Sequence, residues 1–530
     1  MRRWNGWGDE TVTYPLPENA KQFLIEKIGE TRPFTDVIFG DVLKKAPHSR
    51  LSSHPLVSTN PEARVRHARG QSLPDWLAMR SGHIDTFPDG VAHPISKEEV
   101  KTLLNYARKA EAVVIPYGGG TSVVGHITPN GGEKPVLTMN MGKMGRLLSL
   151  DRESRIATFG AGVAGPDLES QLRAHGYTLG HFPQSFELST LGGWIATRST
   201  GQQSLRYGRI EQLFAGGELE TPSGTLKLPA FPASSAGPDL REIVLGSEGR
   251  LGILTEAKVR ITRLPEKESF HAAFFPDWQS AKEAVRKAVQ ERIALSMLRL
   301  SNAAETETQL VLAGHERLVG FLKRFLSWQK AGTGRCMLIF GITGTKPRCR
   351  VAIKEALHLF KQMGGVHTGE YIGRKWAENR FRVAYLRNSL WEKGYAVDTI
   401  DTATDWQNVD HMVKVMESAL KGALSPETEQ VHCFSHLSHL YPQGASIYTT
   451  CLFRTADTHE ETYSRWQRLK TAVSEAIVAN QGTISHQHGV GTDHAPYLVA
   501  EKGELGMETI KNVCHQLDPY GIMNPGKLVK

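Results

Sequence analysis

The stretch Pro116-Tyr117-Gly118-Gly119-Gly120-Thr121-Ser122 carries an apolar run, Ala112 to Ile115, into a loop. Three successive glycines let the backbone turn several N–H groups onto one anion, and the Thr and Ser hydroxyls add donors, which makes a pyrophosphate cradle. No lysine closes this loop and no glycine-spaced helix follows, so it is neither a P-loop nor a GxGxxG fingerprint. Two further clusters follow along the chain. One is His181-Phe182-Pro183-Gln184-Ser185-Phe186-Glu187-Leu188-Ser189-Thr190-Leu191-Gly192-Gly193, leading into Thr197-Arg198-Ser199-Thr200-Gly201. The other is Gly246-Ser247-Glu248-Gly249-Arg250-Leu251-Gly252-Ile253-Leu254. Each alone reads as a tight turn; the three in this order are a specific signal.

Other chemistry-bearing residues lie toward the C-terminus. His432, His436 and His439 recur at i, i+4 and i+7, a spacing that fits one helical face, just ahead of the aromatic run Ala445 to Phe453. They read as residues lining a site or packing on a loop, with an improvised metal site as the alternative. In Ser485-His486-Gln487-His488-Gly489-Val490-Gly491 two histidines flank Gln487, which can donate and accept hydrogen bonds but cannot titrate. Arg299, in Met297-Leu298-Arg299-Leu300-Ser301, and Arg387, in Tyr385-Leu386-Arg387-Asn388, each offer a planar, permanently charged group suited to a phosphate or carboxylate. For Arg299 a structural ion pair is the other reading.

The elements that must position these residues fall into four regions. A chain of 530 residues, 40% hydrophobic and 22% charged, has the composition of an ordinary folded protein of about two or three packed domains. Residues 1–84 are rich in Pro, Ser, Arg and His, with one helical pattern over Asn19 to Ile28, and read as a segment wrapping the body. From 85 to 265 short apolar runs alternate with Gly-rich turns, an α+β pattern that holds the motifs. From 266 to 424 glycine thins out. Amphipathic helices are expected at Ser280 to Ile293 and Arg317 to Trp328, and strands at Ser296 to Leu300 and Met337 to Ile342, giving a second α+β unit. Residues 425–530 add the aromatic strand, a long helix from Thr458 to Asn480 and the histidine turn.

A formal charge of +8 favours anionic partners, such as phosphorylated metabolites or a membrane surface. No basic run is interleaved with aromatics, so nucleic acid is not expected. Five cysteines stand far apart with no CxxC pair, which suggests neither a disulfide framework nor a zinc-thiolate site. The longest uncharged stretch, Ala112 to Gly132, is broken by glycine and proline and is not a membrane span. The start lacks the apolar core of a secretory signal, and Lys527-Leu528-Val529-Lys530 is no peroxisomal address. Cytoplasmic residence, with contact at the periphery of a membrane, is the expectation.

The order PxGGGTS, GHxPxSxExSTxGGWxxTRxxG, GSEGxLGIxTEA resembles the FAD domain of the vanillyl-alcohol-oxidase family, and the resemblance runs from Arg3 to Leu528. The opening Arg3-Trp4-Asn5-Gly6-Trp7-Gly8 resembles its alkyldihydroxyacetonephosphate synthase branch, since the wider family lacks that start. The resemblance implies an α+β fold: a PCMH-type two-subdomain FAD-binding domain, an α+β cap domain, and helical N- and C-terminal segments. It implies noncovalent FAD against Pro116 to Ser122, Pro183 to Ser189, Thr197 to Thr200 and Glu248 to Leu254. His181 could in principle bond the flavin, but in that branch it falls to the substrate side.

By the same resemblance Tyr441 is the proton-transferring tyrosine, Arg387 holds the substrate phosphate, and His486, His488 and Arg299 complete the catalytic set. The reaction implied has no net redox change: an acyl ester of dihydroxyacetone phosphate exchanges its acyl group for a long-chain alcohol, giving an ether lipid precursor. A homodimer is expected. The histidine turn of the branch commonly reads HHHG, and Gln487 departs from it. The rival within the fold is a dehydrogenase or oxidase of 2-hydroxy acids, whose HxxxxxxH and EHGxG motifs hold a divalent metal. The corresponding positions are Tyr441, Tyr448 and Gln487, poor ligands all, so no metal is expected. A third reading is a flavin-binding protein without catalysis.

Overall fold

Helix Lys97–Lys109 shows how local sequence sets the framework. Ser96 caps it by accepting from the Glu99 N–H at 3.2 Å, and Val100, Leu103, Leu104 and Ala107 fall on one buried face. That face packs beneath strands Gly90–Ala92, Val136–Asn140 and Val113–Tyr117, which pair in parallel, with Val57–Ser58 added antiparallel at the edge. The computed structural model describes residues 1–130, 132–312, 316–329, 331–425, 427 and 429–529; Gly131 of the uncharged stretch and Lys530 of the C-terminal peptide lie outside the described residues.

A second, antiparallel sheet runs in the order Leu147–Asp151, Ile156–Gly160, Ile253–Arg260, Phe214–Thr221, Gly224–Leu228. In Ile253–Arg260 burial alternates residue by residue, with Ile253, Thr255, Ala257 and Val259 inward. The first and third glycine-bearing loops adjoin these two sheets, and the second runs from strand Tyr177–Thr178, paired with Thr262–Arg263, into helix Leu191–Thr197.

The third sheet is antiparallel and has seven strands, in the order Val366–His367, Lys267–Phe275, Cys336–Gly344, Met297–Ser301, His432–Leu440, Gly444–Arg454, Tyr395–Asp405. Every residue of Cys336–Gly344 is buried, because apolar clusters cover both faces. Helices Trp278–Gln290, Lys346–Gln362 and Val409–Gly422 pack on one of them. The α+β architecture is the expected one, and the helices and strands named from sequence stand within a few residues of their expected places.

Two local expectations need correction. Residues 1–84 hold, besides Glu18–Ile28, helices Phe39–Lys45, Pro61–Arg66 and Leu73–Ser81. Pro61 and Pro74, which look like breakers, occupy first-turn positions where the missing N–H costs nothing. His432–Leu440 is a strand rather than a helical face or a loop, paired with Met297–Ser301 on one side and Gly444–Arg454 on the other. An extra residue between Leu437 and Leu440 shifts its register. Both His436 and His439 consequently face the same cavity. Among the described residues no helix is long and apolar enough to cross a membrane, and the five cysteines are free and buried.

Candidate active site

The three loops meet at their glycines. A Cβ on Gly119 would stand 1.9 Å from the Leu188 carbonyl oxygen, one on Gly118 2.3 Å from the Thr190 hydroxyl, and one on Gly249 2.9 Å from the Pro116 ring. Gly120 has φ +63°, a left-handed conformation suited to glycine. The glycines are thus needed for loop-to-loop contact as well as for space beside a ligand. The N-terminus adds a clasp, since the Arg2 guanidinium donates to the Gly119 carbonyl.

These loops form one wall of a cavity of about 950 Å³ whose far wall is the seven-stranded sheet. All of Pro116 to Ser122 border it, as do Pro183, Gln184, Ser185 and Ser189, then Thr197, Ser199 and Thr200, then Glu248, Gly249, Gly252, Ile253 and Leu254. The intervening residues turn away. Phe186 stacks on Phe381, Glu187 accepts from the Tyr385 hydroxyl at 3.3 Å, and Leu188 packs on the main core. Arg198 pairs with Glu242 at 2.6 Å, Arg250 donates to the Met523 carbonyl, and Leu251 is core.

The groove fits FAD: it is glycine-floored and hydroxyl-lined, and the buried Thr200 Oγ1 lacks any protein partner. Glu248 ties the groove to the histidine turn. Its carboxylate accepts from the N–H groups of Val490 and Gly491 at 2.5 and 2.8 Å and lies 3.0 Å from His126 Nε2.

Across the cavity the groups capable of proton transfer form two sets. In the first, the Tyr441 hydroxyl lies 2.6 Å from His486 Nε2, and Arg209 Nη1 approaches both, at 3.3 and 3.2 Å. Burial raises the Tyr441 phenol above its ordinary value, opposed by Arg209. Burial, then His439 and Arg209, drives His486 well below 6.5, so its imidazole is neutral near pH 7. Neither Tyr441 nor His486 borders the cavity; His439, stacked on His486 at 5.2 Å, and Gln487 do. Arg209 was not singled out from sequence, because one arginine in the short helix-breaking run Tyr207-Gly208-Arg209 carries no motif.

His488, the catalytic candidate that does reach the cavity, is held by Asp401 through Nδ1 at 2.7 Å. Burial alone would raise the Asp401 carboxyl, but His488 and then His486 hold it below the carboxylate range. The second set is Arg299, Glu305 and His436. Arg299 Nη2 donates to Glu305 Oε1 at 2.6 Å, and His436 Nδ1 lies 3.1 Å from that same oxygen. Arg299 therefore has the ion pair that was its alternative reading, and also lines the cavity.

Arg387 is the most exacting of the sequence-chosen residues. Its Cζ lies over the Trp76 ring, 4.2 Å from the centroid, and it donates through Nη1 to the Gln71 carbonyl, while Nε and Nη2 have no protein partner. Burial lowers its guanidinium to about 10. The N-terminal segment holds this corner in place. Asn388 exchanges two hydrogen bonds with the Trp7 backbone, at 3.1 and 3.0 Å, and Gln71 Nε2 donates to the Gly6 carbonyl at 3.3 Å. His181 is buried behind the groove against Trp194, its Nε2 3.2 Å from Ser199 Oγ, and does not border the cavity. His432 bonds Thr308 at 2.9 Å, outside the lining. Among the described residues no group of three His, Cys, Asp or Glu side chains is arranged to hold a metal ion.

A glycine-floored groove facing histidines, a tyrosine and arginines defines a flavin enzyme, and sequence comparison agrees. Residues 264–528 match the C-terminal domain of FAD linked oxidases and residues 88–228 match the FAD binding domain. The chain belongs to the FAD-linked oxidase family, and its cofactor is FAD. It is 29% identical to the alkyldihydroxyacetonephosphate synthase of Trypanosoma brucei brucei, over 99% of this chain and 92% of that one. It is also 29% identical to the Dictyostelium discoideum synthase, over 99% and 93%. A crystal structure of an alkyldihydroxyacetonephosphate synthase superposes with a TM-score of 0.84 at 26% identity, covering 99% of this chain and 98% of that one.

Proposed function

We propose that this protein exchanges the acyl group of an acyl-dihydroxyacetone phosphate for a long-chain alcohol, as an FAD-dependent alkyldihydroxyacetonephosphate synthase-like transferase in ether lipid synthesis. The observation that carries this reading is the company Arg387 keeps. A buried guanidinium with two unpartnered nitrogens asks for an anion. Beside it an arm of the same cavity is lined by Leu24, Leu312, Leu390, Phe434 and Leu452. An anionic head joined to a long apolar chain fits both.

FAD held along the three loops would supply an electron-accepting ring to the reaction. Arg387 seats the phosphate and fixes that carbon against the far wall. The proton leaving it passes to the Tyr441–His486 pair, reached past His439 and Gln487, with Arg209 favouring the phenolate once the imidazole holds the proton. His488, kept in one orientation by Asp401, lines the cavity where charge develops on the substrate. The positive net charge suits approach to an anionic membrane surface, where such lipids reside.

The experiment is an assay of wild type and Tyr441→Phe with palmitoyl-dihydroxyacetone phosphate plus hexadecanol, and separately with D-2-hydroxy acids, each with and without a strong chelator. Ether product in wild type, insensitive to chelator and lowered about 10²-fold or more by loss of the phenol, is the expected result. Chelator-sensitive oxidation of a hydroxy acid that survives Tyr441→Phe would overturn it. The positions that would have to bind that metal are Tyr441, Tyr448 and Gln487, which speaks against the dehydrogenase.

A further inference from the structure

Exchange of an ester oxygen for an alcohol oxygen needs two proton transfers, one at carbon and one at the incoming hydroxyl. The Tyr441–His486 pair stands behind the cavity wall, whereas the Arg299–Glu305–His436 set opens directly on the cavity. Glu305 lies in the first turn of helix Ala303–Leu312, and Glu305, Thr308, Gln309 and Leu312 all border the cavity. At i, i+3, i+4 and i+7 they make one helical stripe, about 10 Å long, that is charged at one end and apolar at the other. Ala20, Phe23 and Leu24 of helix Glu18–Ile28 face the same arm. The charged end abuts the chemistry: His436 stacks on Tyr448 at 5.0 Å, and Tyr448 meets His488 edge-on at 5.5 Å.

We infer that His436, oriented by Glu305, is the general base for the long-chain alcohol, whose chain lies along this stripe with its hydroxyl at the polar end. The inference rests on the transferase reading above. Arg299 Nη2 lies 2.6 Å from Glu305 Oε1 and 3.1 Å from His436 Nδ1; with its hydrogen directed to the shorter, carboxylate contact, Nδ1 carries its own hydrogen to that same oxygen, which avoids setting an imidazole lone pair against a carboxylate. Nε2 is then the basic nitrogen and is free to face the cavity. Arg299 holds Glu305 at about 2 despite burial, and burial, then Arg299, keeps His436 below 6.5. The pair at neutral pH is a carboxylate beside a neutral imidazole, the arrangement in which a hydroxyl is activated in acyl transfer.

In the step assigned here the C1–O bond to the acyl group breaks and its electron pair leaves as the fatty acid carboxylate. A C1–O bond to the alkyl oxygen forms, and the hydroxyl proton passes to His436 Nε2 and from there to solvent. Nothing is oxidised or reduced.

Base catalysis is distinguished from packing by the acidity of the nucleophile. His436→Gln and, separately, Glu305→Gln are assayed with hexadecanol and with 2,2-difluorohexadecanol, whose hydroxyl is more acidic, with FAD content and thermal melting as controls. His436→Gln should lower ether formation from hexadecanol about 10²-fold or more, and from the fluorinated alcohol by much less. Glu305→Gln should show the same inequality more weakly, so that a failure of one variant to fold leaves the other as the test. Equal losses with both alcohols, or no loss, would overturn the assignment. A wild type that makes no ether from either alcohol overturns it together with the reading on which it rests.

Discussion

The two walls of the cavity are built by different means. The FAD wall is backbone: its specificity comes from glycines that let three loops touch, and few of its side chains are ionisable. The far wall is side chain: four strands, three helices and the histidine turn present polar groups to the cavity, and carboxylates stand beside nitrogen partners, Asp401 with His488, Glu305 with Arg299. A backbone wall tolerates many substrates and no Cβ, whereas a side-chain wall tolerates new residues at the cost of new chemistry. This explains how one cofactor groove can serve unrelated reactions.

The largest effect expected from this contrast is on the backbone wall. Gly119→Val places a branched side chain where even a Cβ would meet the Leu188 carbonyl at 1.9 Å, so two loops must part. FAD should be lost completely, read from the flavin absorbance of the gel-filtered protein. Retention of stoichiometric FAD would show that the loops can separate without loss of the groove.

On the side-chain wall a smaller and more selective effect is expected. Arg387→Lys keeps a positive charge but loses the plane that stacks on Trp76 and the fork that serves Gln71 and a ligand at once. The KM for the phosphorylated substrate should rise about 10-fold to 10²-fold with FAD retained, and Arg387→Ala should do more. An unchanged KM with a lowered kcat would assign Arg387 to the chemistry instead of the anchor.

The same contrast decides what could be read from the sequence. The FAD wall was legible because its signal is local: consecutive glycines and hydroxyls at fixed offsets sit next to one another in the chain. What was not legible there is direction, since nothing in Pro183 to Ser189 says that Phe186, Glu187 and Leu188 turn into the body. The far wall was legible only where a family motif named a residue, as at Tyr441 and Arg387. Arg209 and Glu305 were missed because each acts through a partner more than a hundred residues away, at Tyr441 and His436. The histidines at 432, 436 and 439 suggested a helix because a bulge, which sequence spacing does not announce, breaks the two-residue period of their strand.

The smallest expected effect concerns Asp401, whose carboxylate joins strand Tyr395–Asp405 to the histidine turn by accepting from the N–H groups of His486 and Gln487 at 2.9 and 2.6 Å, and lies 2.7 Å from His488 Nδ1. Its folded-state pKa lies below the ordinary value. The stabilisation it provides is therefore full above an ordinary carboxylate pKa near 4 and is lost as pH falls through the folded value. Asp401→Asn removes the charge while keeping the shape, which should cost about 2 kcal/mol at pH 7 and lower Tm by a few degrees. An asparagine does not titrate. The Tm gap between wild type and variant should accordingly be constant from pH 8 to about 5 and narrow below about 4, as wild type alone gives up its advantage. Thermal melts of the FAD-bound proteins across that range measure it. A gap that stays constant into acid would mean that Asp401 contributes as a neutral hydrogen-bond acceptor, and that the histidine turn is positioned by its backbone bonds and not by charge.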